Sequence, residues 1–318
     1  MQQIIPYPSI FVIKSLLFGL LLLTGCERGE EVRAVDFSKT VTVSDPVTNA
    51  RGRPVLRAAV GAMISPKETH GIYLQLLAFV SRKVEMDLEF VQRKTYAEVN
   101  EMLGQGEIDL AFICSGPYAL GSKDHGFELL VAPEVQGSPV YYSYLIVNRD
   151  GPHQTLEDLR GAVFAFTDPH SNTGRLVPEY WLAVMGERPE TFFRDVIYTY
   201  SHDNSIQAVA QGLVDGAAVD NLIWDYFARE NPVHTARTRV IKRSAPYGIP
   251  PIVVGADMPR ERVDLIRGLL LDMHTDPEGA VILGELMIDR FVPADPAWYA
   301  SILELQETVR SLGEHDTP

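Results

Sequence analysis

One pattern governs what this chain can become: a strand–helix–strand–helix–strand order that occurs twice, 106 residues apart. In the first copy Val55–Val60 reads as a strand. Ser65-Pro66-Lys67-Glu68 opens a helix, with Ser as cap, Pro at the first helical position and Glu three residues after the Ser. Ile72, Leu76, Leu77 and Val80 continue it at helical spacing. Leu88–Val91 is a second strand, Tyr96–Leu103 a second helix and Ile108–Cys114 a third strand. In the second copy the elements are Ala162–Phe166, a helix from Ser171 through Met185, Val196–Tyr200, Asn204–Gln211 and Val214–Val219. Five landmarks pair at the one offset: Ser65 with Ser171, Tyr96 with His202, Gly106 with Gly212, Asp109 with Asp215, and Cys114 with Asp220. Repeated β-α-β-α-β units specify an α/β fold of two lobes, each a mostly parallel sheet flanked by helices.

Two segments join the halves. Val140–Val147 leads out of the first and Ile249–Val254 follows the second, and both read as strands at a crossing. The region from Arg260 to Leu312 is helical in pattern and is expected to return to the first lobe and cover it. The expected division is residues 54–145 plus 250–318 for lobe one and 146–249 for lobe two. Two lobes on two crossovers predict a cleft that can hinge closed.

The N-terminus reads as a targeting segment. Lys14 precedes the apolar run Ser15–Leu23, which is too short for the ~20 residues of a bilayer span and fits an export signal instead. The run ends in Leu23-Thr24-Gly25-Cys26, similar to a bacterial lipobox, so residues 1–25 are expected to be removed and Cys26 to carry lipid. Residues 26–53 then form a tether. The chain carries a net charge of −14, becoming −15 once Lys14 is lost with the leader, and this excludes a basic nucleic-acid footprint. After Cys26 the only other thiol is Cys114, so no internal disulfide is available to the mature domain.

In parallel α/β sheets ligands lie beyond the C-terminal ends of the strands, where the paired positions fall. Lobe one offers Ser65, Tyr96, Cys114 and Ser115. Lobe two offers Ser171, Asn172, Thr173, His202 and Asp220. Ser171-Asn172-Thr173-Gly174 joins two hydroxyls and an amide to the free N–H groups of a helix start, which suits an oxyanion, although one Ser would suffice for a plain N-cap. No Gly-x-x-x-x-Gly-Lys loop accompanies it. Tyr96 is a hydroxyl donor or a packing residue with a wet tip. His202 is a donor to an anion or a loop-end histidine on backbone. Asp220 is an acceptor for a ligand hydroxyl, or a cap. Cys114 is either a small buried hydrophobe or a soft ligand for a thiophilic solute. No base is placed to activate it, and the histidines show no metal-ligand spacing, so neither catalysis, cofactor nor metal is expected.

The run Asp168-Pro169-His170-Ser171-Asn172-Thr173-Gly174-Arg175-Leu176-Val177-Pro178 resembles the signature of phosphonate/phosphite/phosphate-type ABC transporter substrate-binding proteins. So do Asp109–Phe112, Tyr141–Val147, Ser201-His202 and Val214-Asp215, and the resemblance covers roughly residues 54–312. It implies a type II periplasmic-binding-protein fold without catalysis, oxyanion contacts at Tyr96, Ser171, Asn172, Thr173 and His202, and a lipid-anchored monomer outside the cytoplasm serving an ABC permease. Ile113 stands where an aromatic is common, and Ile249-Pro250 replaces an acid that would suit an amino group. These departures point to phosphite, phosphate, methylphosphonate or a similar small oxyanion. Related sequences also act as sensors for a membrane histidine kinase, some binding arsenite through a cysteine, and Cys114 keeps that reading open.

Overall fold

Each parallel strand runs directly into a helix, and the repeated pattern becomes two sheets. The computed structural model describes residue 48 and residues 52–314; the leader, Cys26 and most of the tether lie outside them. The first half contains β1 (Val55–Val60), α1 (Pro66–Lys83), β2 (Asp87–Val91), α2 (Tyr96–Gly104), β3 (Leu110–Phe112), α3 (Ser115–His125) and β4 (Glu128–Glu134). A short strand, β5 (Val140–Tyr141), precedes β6 (Ser143–Asn148), which enters the second half. That half continues with β7 (Val163–Phe166), a π-helical turn at Asn172–Leu176, α4 (Val177–Val184), α5 (Pro189–Phe192), β8 (Asp195–Tyr198), α6 (His202–Ala210), β9 (Gly216–Asp220), α7 (Asn221–Glu230) and β10 (Thr238–Arg243). The chain returns through β11 (Tyr247–Gly248) and β12 (Ile252–Val254) to α8 (Arg260–Asp272), α9 (Pro277–Glu285), β13 (Arg290–Val292) and α10 (Ala300–Glu314).

The first sheet has the order β13-β4-β12-β3-β1-β2 and the second β10-β6-β9-β7-β8. In both, three strands run parallel and the strand arriving through a crossover, β12 or β6, joins antiparallel to the third. Both faces are covered at the centre of each sheet, so the central strands are continuously apolar, as in Phe164-Ala165-Phe166, all buried. The two halves use one local device at their third strands. Asp109 N–H donates to the Arg57 carbonyl while its carboxylate accepts from the Arg57 N–H at 2.8 Å; Asp215 does the same with Val163. Gly106 and Gly212 both sit at φ near +70°, ending the preceding helices in a conformation that favours glycine.

The crossovers differ from the continuous strands expected at 140–147 and 249–254. β5 pairs with β11 in a separate two-stranded ribbon. The break after β5 comes at Tyr142, which turns away to exchange bonds with Asn221: its N–H donates to Oδ1 at 2.7 Å and its carbonyl accepts from the Asn221 N–H at 3.0 Å. Pro250 and Pro251 separate β11 from β12, because neither has an N–H to extend a ladder. All of β6 lies in the second sheet, so the chain enters that sheet ahead of the expected division at 145/146.

The C-terminal region returns to the first half as expected, with α8 packed on β4 and α1 and with α9 on α1, but it departs from expectation in two respects. It includes a strand, β13, and its last helix does not confine itself to the first half. α10 packs against α4 of the second half as well as α3 of the first. Its apolar face, with Ile302 buried, shows in the sequence, but periodicity does not say which neighbour covers that face.

Candidate functional site

The helices that follow β1, β2 and β3, and β7, β8 and β9, all begin at the strand ends, and there the halves meet. The sequence sets each start. Thr95 and Glu98 form a reciprocal capping box that fixes Tyr96 as the first residue of α2. Ser201 caps α6 and leaves His202 in the corresponding place. Cys114 and Asp220 are the matching N-caps of α3 and α7. Ser171 Oγ accepts from Gly174 N–H at 2.9 Å and opens a π turn rather than the ordinary helix expected. Such turns recur at functional sites. Gly174 is required by close approach: a Cβ there would lie 1.3 Å from Thr167 Oγ1.

Three hydrogen bonds tie the halves together around this point. Tyr96 N–H donates to Asp168 Oδ2 at 3.1 Å, Ser65 N–H to Asp203 Oδ1 at 2.8 Å, and His202 N–H to the Met63 carbonyl at 2.9 Å. Gly116 lies so close to the opposite half that a Cβ would come within 2.3 Å of the His170 carbonyl oxygen. The cleft is closed.

Tyr96, Asn172, Thr173, His202 and Asp220 are all buried here, and each has a polar atom without a protein partner among the described residues: Tyr96 Oη, Asn172 Oδ1, Thr173 Oγ1, His202 Nε2 and Asp220 Oδ2. Buried polar atoms left this way cost ~1–3 kcal/mol each, so a group of them marks a place built for a ligand. Most are donors. The Asp220 amide donates to His202 Nδ1 at 3.0 Å, so Nδ1 must carry a lone pair and the proton sits on Nε2. Burial pulls the His202 pKa down to about 3, partly offset by Asp168, so the ring is neutral. Burial also holds the Tyr96 phenol well above its ordinary range, keeping its proton. Asn172 Nδ2 contacts the Tyr141 hydroxyl at 3.1 Å. The amide has two isosteric orientations, and the other one would turn Nδ2 inward and leave Oδ1 to accept from the Tyr141 hydroxyl.

Asp220 is the acceptor of the group. Its Oδ1 caps Leu222 N–H at 2.7 Å, while burial, with Asp225 nearby, pushes its pKa up to about 7. The motif's cation, Arg175, is engaged with Glu179 and the Pro169 carbonyl. The cradle is therefore neutral donors plus one titrating carboxyl.

The remaining sequence candidates take other places. Ser115 Oγ donates to the Gly248 carbonyl at 2.6 Å, so its proton serves the crossover ribbon. Ser65 is half-buried and caps α1 without a side-chain bond. The Cys114 thiol is buried 4.0 Å from the Tyr141 hydroxyl, and burial pushes its pKa up to about 11, so it is a protonated thiol. Sequence reasoning missed two participants. Tyr141 reads as a strand residue, and Asp168 as part of a motif without a role, yet one orients Asn172 and the other anchors Tyr96. An Asx turn at Asp168, whose Oδ1 accepts from His170 N–H at 2.7 Å, is the only local signal.

The fold and cradle define a two-lobed binding protein of the periplasmic type. Residues 59–299 match the family described as ABC transporter, phosphonate, periplasmic substrate-binding protein, and the chain belongs to that family. The family is one of extracytoplasmic substrate-binding transport components rather than enzymes. Among relatives, the phosphate-import protein PhnD of Mycolicibacterium smegmatis is 31% identical over 192 residues, 55% of this chain and 59% of that protein. The phosphonates-binding periplasmic protein of Escherichia coli is 24% identical over 80% of this chain and 78% of its own. A binding-protein component of a Pseudomonas aeruginosa ABC phosphonate transporter superposes with TM-score 0.78 at 22% identity, covering 83% and 89% of the two chains.

Proposed function

We propose that this protein captures a small phosphorus oxyanion (phosphite, phosphate or a phosphonate) outside the cytoplasm and delivers it to an ABC permease, held at the membrane by lipid on Cys26. The observation that carries this reading is the set of buried, unpartnered groups on Tyr96, Asn172, Thr173, His202 and Asp220. Neutral donors stabilise a desolvated anion without a counter-ion, and the helix starts around them add the positive ends of backbone dipoles. Asp220 accepts the hydroxyl of a singly protonated anion. Ser171, Asn172 and Thr173 position the anion against the second lobe, and Tyr96 closes over it from the first. The import role draws on the family and on the name of the 31% identical relative. Burial pushes the pKa of the Cys114 thiol up to about 11, which disfavours its use as a soft ligand in the arsenite-sensing alternative.

Calorimetric titration with phosphite, phosphate, methylphosphonate and sulfate tests the reading. Saturable binding of at least one phosphorus oxyanion, lost in His202→Ala, is expected; binding of sulfate alone, or of none, rejects it.

A further inference from the structure

Beside the cradle lies a cavity of about 290 Å³. Met63, Tyr73 and Phe112 of the first half line it, as do Asp220 and Ile223 of the second and Tyr142 at the crossover. It adjoins the cradle at two points around His202. Asp220, whose amide donates to His202 Nδ1, forms part of its wall, and so does Met63, whose carbonyl accepts from His202 N–H. Asp220 Oδ2, buried and without a protein partner, stands at this junction.

Size and chemistry decide what the cavity suits. A dry cavity of ~150 Å³ holds a benzene, so this one accepts on the order of a dozen non-hydrogen atoms. An inorganic oxyanion in the cradle would leave it unused. Most of its lining residues are apolar or aromatic, although about half of the surface they present to the cavity is polar. Its one basic group, Arg243, is exposed at the rim and lies 3.4 Å over the Tyr142 ring, while Asp220 and Asp225 supply two carboxyls. A second anionic group would meet those carboxyls, which disfavours a diphosphate. A phosphonate presents three oxygens and one carbon at the vertices of a tetrahedron. Three vertices satisfy the cradle and the fourth leaves past Asp220.

We propose that this cavity is a second compartment of the binding cleft, shaped for the uncharged, apolar or aromatic substituent of an organophosphonate whose oxygens occupy the cradle. The inference rests on the oxyanion reading of the cradle and names the substrate class for it.

Titration of the full chain with phosphite, methylphosphonate and phenylphosphonate tests the compartment. Phenylphosphonate is expected to bind at least tenfold more tightly than methylphosphonate. Leu286→Trp and Ser138→Trp fill the compartment from half-buried positions away from the cradle. Each variant that retains a cooperative melt is expected to weaken phenylphosphonate at least tenfold and to leave phosphite within twofold. Phenylphosphonate binding no tighter than methylphosphonate overturns the compartment, as does a folded Trp variant that weakens both ligands alike or neither. Phosphite binding without phenylphosphonate binding rejects the compartment and keeps the oxyanion reading. Absence of binding by all three rejects both.

Discussion

The backbone amide of Asp220 points at Nδ1 of His202 from 3.0 Å, so a main-chain group fixes the tautomer of the buried imidazole. Side-chain substitution at 220 leaves that bond in place. The ring is thereby a neutral donor whose Nε2–H faces the cradle. Nitrogen NMR should show Nε2 protonated from pH 5 to 8 with no titration, since burial holds the pKa at about 3. His202→Ala should lower oxyanion affinity at least tenfold, as expected for ~1.5–3 kcal/mol lost from one hydrogen bond to a charged group. A ring that titrates near pH 6.5 contradicts this assignment.

Asp220 gives the opposite pH signature. Its pKa is raised from 3.8 to about 7, so between those values the folded carboxyl holds a proton that the unfolded chain has released. Stability from this group therefore falls as pH rises through that window. Asp220→Asn keeps a good N-cap and removes the ionisation. Its ligand-free melting temperature should exceed that of the wild type at pH 8, and by more than any difference at pH 4. A variant less stable at pH 8 counts against the buried-carboxyl account.

Ser171 and Thr173 should separate structure from binding. Ser171 Oγ caps the Gly174 amide, so Ser171→Ala should cost ~1 kcal/mol of stability along with affinity. Thr173 Oγ1 has no protein partner, so Thr173→Val, which keeps the buried methyl and removes the hydroxyl, should not lower the melt and should weaken oxyanion binding about tenfold. Equal destabilisation by both changes would place Thr173 in the scaffold instead.

Closure depends on the absence of a side chain at Gly116. The 2.3 Å approach expected of a Cβ to the His170 carbonyl cannot be accommodated without moving backbone. Gly116→Ala should fold normally, bind weakly and show no compaction by small-angle scattering on adding the wild-type ligand. Full compaction would show that the halves meet differently.

Cys114→Ser tests the thiol. A thiol with its pKa near 11 is neither a thiolate nor exposed, so phosphite binding should change less than threefold and native labelling by maleimide at Cys114 should be negligible at pH 7. Arsenite binding that needs Cys114, with no phosphorus oxyanion bound, would reinstate the sensing reading.

Much of the site is legible in the sequence because the repeated unit places chemistry at repeated positions. Tyr96 and His202 both begin the helix after the second strand of their halves, and Cys114 and Asp220 both cap the helix after the third. Spacing carries that information. Tyr141 and Asp168 were not legible, since their parts depend on contacts with Asn172 and Tyr96 across 31 and 72 residues of chain. β13 is three residues long and defined by pairing with β4, which periodicity cannot show. The π turn replaces a helical turn under the same Ser cap, so its residue pattern matches that of an ordinary start.

The cradle is unevenly shared between the halves. Asn172, Thr173, His202 and Asp220 belong to one half and only Tyr96 to the other. Opening the cleft would break the Tyr96–Asp168 and His202–Met63 bonds, yet it would leave the larger group assembled on its own sheet. On the oxyanion reading proposed above, a solute would therefore meet the second half first, and most of its partners while still in contact with solvent. The first half would then add a single hydroxyl and shut the water out, so discrimination would come early and retention late.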